Sequence, residues 1–249
     1  MLVSFAIPAH NEERRLPATI GAIHDAARTL GLSYEIVVAD DASTDATARV
    51  ARNAGATVVS IEARQIAAAR NAAAAATSGE VLFFVDADTT VNAQAVGEGL
   101  LAIAHGAAGG GAMFRFDGKI PLWATATLAL LTCFFRIFRY AGGAFMFARR
   151  SAFEAAGGWD QTFYAGEEIA LARSLKRHGR FVIIRTRVVT SGRKLRAFEG
   201  AELLRMTLAM VLSPRRAVRS RERLPLWYGP RRADPADQDT GAGMAARPP

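Results

Sequence analysis

The 249-residue chain has one cysteine, Cys133, so a disulfide framework and a thiolate metal site are both excluded. It also lacks a long apolar run. The longest uncharged one, residues 120–135 between Lys119 and Arg136, has sixteen residues, short of the roughly 20 that a membrane-spanning helix needs. A polytopic membrane protein is therefore not expected. The N-terminus enters a strand-like run at residues 2–7 with no basic leader or cleavage site, which fits a reducing cytoplasm. No internal repeat of 20–50 residues is visible.

Charge is unevenly spread. The formal net charge is +8, yet residues 1–100 carry 7 Lys+Arg against 12 Asp+Glu and residues 101–249 carry 24 against 11. An acidic half followed by a basic half suggests a cation-dependent site and a surface drawn to phosphates, although an Arg-rich solvated face gives the same balance.

Over the first hundred residues, short continuous apolar runs alternate with helical segments, the pattern of strands buried on both faces of a parallel sheet. Strands are predicted at 2–7, 35–39, 57–61 and 81–85, with helices at 16–30, from the turn after 39 to about 53, and at 66–77. A Gly-rich loop at 106–111 should precede strands at 112–116 and near 144–148, then a helix at 167–178 and a strand at 181–184. In an open α/β sheet the carboxyl ends of the strands form the ligand crevice, so the polar clusters at 8–13, 40–45 and 86–89 should converge there.

The most informative cluster is Val85-Asp86-Ala87-Asp88. A spacing of two puts both carboxylates on one side of an extended chain, where they repel unless a cation lies beside them. Hard oxygen donors of this kind suit Mg2+ or Mn2+ held with few protein ligands and a substrate's phosphates. The same pair also occurs as a solvated strand end.

Around it stand Pro8-Ala9-His10-Asn11-Glu12-Glu13, Asp40-Asp41-Ala42-Ser43-Thr44-Asp45 and Ala67-Ala68-Ala69-Arg70-Asn71. Later come Gly142-Gly143-Ala144-Phe145, Gly157-Gly158-Trp159-Asp160, and Gly166-Glu167-Glu168 followed by Leu171 and Arg173. In order and spacing, from residue 3 to 187, the chain resembles the family 2 glycosyltransferases, inverting and nucleotide-sugar-dependent enzymes of the GT-A fold. The resemblance implies a Rossmann-like, mostly parallel sheet flanked by helices over residues 1–190, here followed by a basic helical C-terminal extension at 191–228 and a disordered tail at 229–249.

It further implies that Pro8, Ala9 and Glu12 edge the nucleotide pocket, that Asp40 or Asp41 accepts a hydrogen bond from the base, and that Arg70 lies near the base or diphosphate. Asp86 would reach the ribose or a metal-bound water, and Asp88 would hold the metal. In the family the acidic pair ends in Asp, the base toward the acceptor hydroxyl; here Glu167-Glu168 puts a longer Glu168 at that position. Trp159 and Asp160 would lie on the acceptor side, and Arg193 with Lys194 would pair with the diphosphate. The residues also admit plainer readings. Asn11, Asp40, Asp41 and Ser43 suit helix caps, the two glutamates suit a helix N-terminus, Arg70 suits a helix surface, the Gly157-Gly158-Trp159 turn equally suits packing on the core, and Arg193 and Lys194 suit ordinary surface charge. None of the four histidines matches the late third metal ligand of this fold.

Residues 198–212 and the arginines to 223 read as an amphipathic helix with a basic extension. With residues 122–135 it would lean on an anionic bilayer or pack on the core or a second copy. Trp227-Tyr228 would anchor at headgroups or cover the sheet edge. The expected activity is inverting sugar transfer from a nucleotide-diphosphate sugar to an acceptor hydroxyl, on a lipid-linked or cell-envelope glycan, in the cytoplasm or at the inner membrane face. The alternatives are a sugar-phosphate nucleotidylyltransferase, though the Gly-rich phosphate loop after the first strand is missing, or a silent domain tethered to anionic surfaces. Nucleic acid is not an expected partner, because no aromatics interleave with the tail's arginines.

Overall fold

The computed structural model describes residues 1–118, 120, 125, 137–138, 140–198, 202, 218–229, 232, 234 and 235. All but residue 125 of the predicted apolar helix at 122–135, nearly all of the helix at 198–212 and most of the tail from 229 lie outside these residues. No helix among the described residues is long and apolar enough to cross a membrane.

The first six elements alternate as the apolar pattern predicts: β1 (Leu2–Ala9), α1 (Leu16–Thr29), β2 (Ser33–Asp41), α2 (Thr47–Asn53), β3 (Thr57–Ile61) and α3 (Ile66–Ala75). Gly31 stops α1 with φ of 63°, a left-handed conformation that costs glycine nothing. Next come β4 (Val81–Val85), β5 (Thr89–Thr90), α4 (Ala93–Ala104), β6 (Ala107–Gly111), β7 (Phe114–Phe116) and β8 (Phe145–Arg149). The remainder is α5 (Arg150–Ala155), α6 (Glu167–Leu175), β9 (Arg180–Ile183), β10 (Val188–Thr190), α7 (Arg193–Ala197), a 3-10 turn at Arg221–Arg223, and α8 (Pro225–Tyr228).

A seven-stranded sheet runs β3-β2-β1-β4-β8-β6-β9, parallel except for β8. The period-2 alternation of the strands sorts side chains into two layers. Val3, Phe5, Ile7, Phe83, Phe145 and Phe147 pack with Leu16, Ile20 and Val96 of α1 and α4. On the other face Ala6, Leu82, Phe84 and Met146 pack with Ala69 and Ala73 of α3, Phe153 of α5 and Leu171 of α6. Phe5, Phe83, Phe84, Phe145 and Phe147 are fully buried, each contributing about 1.5–3 kcal/mol of transfer free energy.

The expectation of a Gly-rich loop at 106–111 is wrong: this segment is β6, paired on both sides with β8 and β9. The glycines serve close approach rather than flexibility. A Cβ on Gly110 would lie 2.1 Å from Val182 O and 2.5 Å from the Phe147 ring. The predicted strand at 112–116 shortens to β7, and the predicted helix at 167–178 ends at Leu175.

β7 leaves the main sheet for a three-stranded one, β5-β10-β7. Its function is positional, since Val189 and Thr190 pair with Thr90 and Thr89 immediately after Asp88. The turn after β10 is thereby held against the carboxylates that end β4.

Gly110→Ala is expected to cost about 3 kcal/mol in urea unfolding, because backbone as well as ring must move. A loss below about 1 kcal/mol would mean that β6 can shift off β9 freely.

Candidate active site

The chain reverses direction at β1, with β2 and β3 to one side and β4 to the other, so the carboxyl ends of β1, β2 and β4 border the switch-point crevice. A cleft of about 350 Å³ opens there. Pro8, Ala9 and Glu12 line it from β1, Asp41 from β2, Asp86 and Asp88 from β4, and Glu167 and Glu168 from the start of α6.

The turns after β1 and β2 are laced together by their polar residues, not spent as helix caps at Asn11 and Ser43. Asn11 N–H donates to Ser43 Oγ at 2.9 Å, and Thr44 N–H donates to Asn11 Oδ1 at 2.8 Å. Glu12 N–H donates to Thr47 Oγ1 at 2.8 Å, fixing the carboxylate's base. Asp45 is the residue that serves the helix start, accepting from Thr47 N–H at 2.9 Å.

Of the pair Asp40-Asp41, the strand's alternation turns Asp41 to the cleft, while Asp40 is buried and does not line it. Asp41 accepts from the N–H groups of Arg64 and Gln65 at 2.6 and 2.7 Å, joining β2 to the entry of α3. His10 Nδ1 lies 2.7 Å from Asp41 O and its ring also meets the Arg64 guanidinium.

Arg70 is 2 % exposed and sits beneath the cleft. Its Nη1 donates to Glu167 Oε1 at 2.8 Å, its Nη2 to Asp86 Oδ1 at 2.8 Å and to Gly143 O at 3.1 Å. The guanidinium stacks over Trp159 at 4.3 Å from the ring centre. Burial alone would lower its basicity, but Asp86 and Glu167 raise it above that of a free arginine. Gly143 is thereby explained, because a Cβ there would lie 2.7 Å from Arg70 Nη2, while a Cβ on Gly142 would meet the Phe114 ring. Asn71 secures the other side, donating to Trp159 O and accepting from Trp159 N–H at 2.8 and 2.9 Å.

Trp159, read from the sequence toward the acceptor, is therefore a buried platform for Arg70, and Asp160 is exposed and accepts from Thr162 N–H at 2.9 Å. Neither lines the cleft.

Glu168 is only half-buried and lines the cleft beside Glu167. Burial, then the adjacent Glu167 carboxylate, push its carboxyl up to about 8, with Arg70 acting in the opposite direction. A carboxyl poised there can take a proton near neutral pH.

Arg193 does not line this cleft but stands behind Asp88, with Nη2 3.2 Å from Asp88 Oδ2 and also bonded to Glu12 Oε1. Lys194 does line it. Asp86 and Asp88 supply hard oxygen donors on one wall, and no group of three or more His, Cys, Asp or Glu suited to a metal occurs among the described residues. That donor set fits a divalent ion completed by diphosphate and water rather than one caged by protein.

Sequence reasoning missed His10, Arg64 and Tyr164, and placed Trp227 and Tyr228 elsewhere. Leu226, Trp227 and Tyr228 form one wall of the cleft, Tyr164 N–H donates to Val218 O at 2.7 Å, and the Tyr164 and Tyr228 rings meet edge-on at 5.5 Å. Arg64 follows β3 on the same sheet edge as the other clusters, which was the available signal.

A mostly parallel sheet with a switch-point cleft bearing carboxylates from the end of β4 and the start of α6 is the architecture of a GT-A glycosyltransferase. Residues 4–157 match the family model described as glycosyl transferase family 2, and the chain belongs to that family. No curated protein matches it by sequence. Among solved structures, the mannosyltransferase PcManGT from Pyrobaculum calidifontis, in complex with GDP-Man and Mn2+, is 17% identical with a TM-score of 0.63, over 98% of this chain and 80% of that one. Glucosyl-3-phosphoglycerate synthase from Mycobacterium tuberculosis, in complex with Mn2+, UDP and glucosyl-3-phosphoglycerate, is 24% identical at TM-score 0.56, over 88% and 81%. S. aureus TarS 1-349 is 16% identical at TM-score 0.60; the match covers 84% of this chain but 65% of TarS 1-349. These likenesses establish the fold.

Arg70→Met leaves Asp86 and Glu167 without their shared cation and is expected to cost about 3–5 kcal/mol in denaturant unfolding. Arg64 holds φ of 50°, a left-handed strain of roughly 1–2 kcal/mol. Arg64→Gly should therefore raise stability by about 0.5–1 kcal/mol after glycine's backbone entropy is subtracted; a fall in melting temperature would mean that the His10 contact outweighs the strain.

Proposed function

We propose that this protein transfers a sugar from a nucleotide-diphosphate sugar to an acceptor hydroxyl, with inversion, by direct displacement. The observation that carries the reading is that Asp86 and Asp88 end one wall of the cleft while Glu168, its carboxyl raised by burial and by Glu167, faces the same space.

Pro8, Ala9, Glu12 and Asp41 form the nucleotide end, with Asp41 the group that meets the base. Asp88, with the oxygen of Asp86 not used by Arg70, would hold Mg2+ or Mn2+, which neutralises charge developing on the leaving diphosphate. GDP-Man with Mn2+ in PcManGT and UDP with Mn2+ in glucosyl-3-phosphoglycerate synthase support this donor class.

In the same cleft Glu168 accepts the proton of the acceptor hydroxyl as that oxygen attacks the anomeric carbon. Glu167, with Oε1 held by Arg70, supports this role through its charge, which together with burial keeps Glu168 a stronger base than a free glutamate. Tyr164, Trp227 and Tyr228 shape the wall around the hydroxyl and exclude water from it. The displacement needs no enzyme nucleophile, so the product carries the inverted anomeric configuration.

Glu168→Gln is expected to lower kcat by about 100-fold or more while leaving nucleoside-diphosphate affinity within a few-fold. Equal losses in both would place Glu168 in donor binding. Because the base must be ionised, kcat/KM should rise with pH through a limb centred near 8. A limb at about 4–5 would contradict the assignment. Asp88→Ala should abolish the rise in melting temperature given by UDP or GDP with Mn2+, and no rise in the wild type with any nucleoside diphosphate and metal would sink the reading.

A further inference from the structure

Two stretches of the chain hold no carboxylate. No Asp or Glu occurs between Asp117 and Glu154, or between Glu168 and Glu199, while arginine and lysine recur through both. The fold joins them where the end of α6 meets the chain around Tyr140. Lys176 Nζ donates to Phe138 O at 2.9 Å and lies 4.3 Å from the centre of the Tyr140 ring. Arg173 Nε donates to Tyr140 Oη at 2.9 Å.

Tyr140 is buried, so these bonds hold the residues before it in a set position. The Phe138 ring stacks on Tyr140 with centres 6.4 Å apart and planes at 16°. Ile137 and Phe138 nevertheless stay 69 and 52 % exposed. Met1, Leu30 and Leu101 are the other exposed large apolar side chains among the described residues, and no two of them are neighbours in sequence. At the end of α6, Arg173, Lys176 and Arg177 are exposed, and in sequence Arg136 and Arg139 flank the apolar pair.

An occupant must suit both the cations and the apolar pair. A small anion would take the cations and leave Ile137 and Phe138 in water. A specific protein interface needs about 800 Å² a side with charge depleted at its centre, which two apolar side chains among cations do not offer. An anionic bilayer uses both features, because its phosphates meet the cations while the apolar pair enters the boundary between headgroups and acyl chains. We infer that Ile137 and Phe138, with Arg173, Lys176 and Arg177, form a docking surface for an anionic lipid bilayer. The contact is peripheral and reversible, since each cation adds only about fivefold in affinity. Glu167 and Glu168 stand at the other end of α6, nine residues or about 14 Å long, so docking leaves the cleft uncovered.

The test uses the full chain as wild type, Ile137→Ser/Phe138→Ser and Lys176→Gln/Arg177→Gln, with circular dichroism as the folding control. Cosedimentation is measured with vesicles of phosphatidylcholine alone and of phosphatidylcholine with about one-third phosphatidylglycerol. The wild type should bind the anionic vesicles about tenfold or more tighter than the neutral ones and lose most of that gain in about 0.5 M salt. Each double variant should weaken binding to the anionic vesicles by about tenfold or more. A wild type that ignores anionic vesicles overturns the inference even if a variant fails to fold. So does binding that either folded variant leaves unchanged, which would place it in another basic segment such as residues 205–223. A dimer in solution that Ile137→Ser/Phe138→Ser disperses would assign the face to a second copy and likewise overturn the inference. Vesicle binding needs no nucleotide, so each of these outcomes leaves the donor reading of the cleft untouched.

Discussion

A single buried guanidinium sets the geometry on which the cleft depends. Arg70 is enclosed on α3, and an enclosed cation is tolerated only with charged partners at hydrogen-bond distance. It finds Asp86 at the end of β4 and Glu167 at the start of α6, so one side chain joins the donor wall to the wall that carries Glu168. The rest of the local sequence serves that pairing. Gly143 leaves room for Nη2, Trp159 supplies the face beneath, and Asn71 holds the Trp159 backbone in place. Glu167 is thereby fixed beside Glu168, whose carboxyl it raises in addition to burial.

The uneven charge along the chain has a similar explanation at the site. Basic residues of the second half neutralise carboxylates that the first half brings to the cleft: Arg193 meets both Glu12 and Asp88. The reverse also occurs, since Arg15 of the first half pairs with Asp234 of the second at 2.8 Å. The extension after β10 is thus partly an electrostatic complement to the acidic turns. The family match ends at residue 157, whereas Glu168, Tyr164, Lys194 and Trp227 lie beyond it, so part of the cleft lining is built from sequence outside that match.

Much of this was legible in the sequence, and the exceptions have physical causes. Continuous apolar runs identify strands buried on both faces, so β1 through β4 fall within two residues of their predicted ends, and the polar clusters that stop them do meet. β6 was not legible because glycine signals a loop by composition and a close strand approach only when the neighbouring ring and carbonyl are in place. Trp159 and Arg70 were placed by resemblance at the ligand, yet their mutual burial depends on contacts between residues 89 apart in the chain. Trp227 and Tyr228 look like interfacial anchors by composition; only the path of residues 218–228 brings them back over Tyr164.

The central claim is that the Arg70-bound Glu167, acting with burial, raises the proton affinity of Glu168. It is tested most directly by following the Glu168 side-chain carboxyl with carbon-13 NMR across pH, in the wild type and in Glu167→Gln. Removing the like charge should lower the Glu168 midpoint by about one unit or more, toward the range of an ordinary glutamate. A midpoint that stays where it is, or rises, would contradict the account.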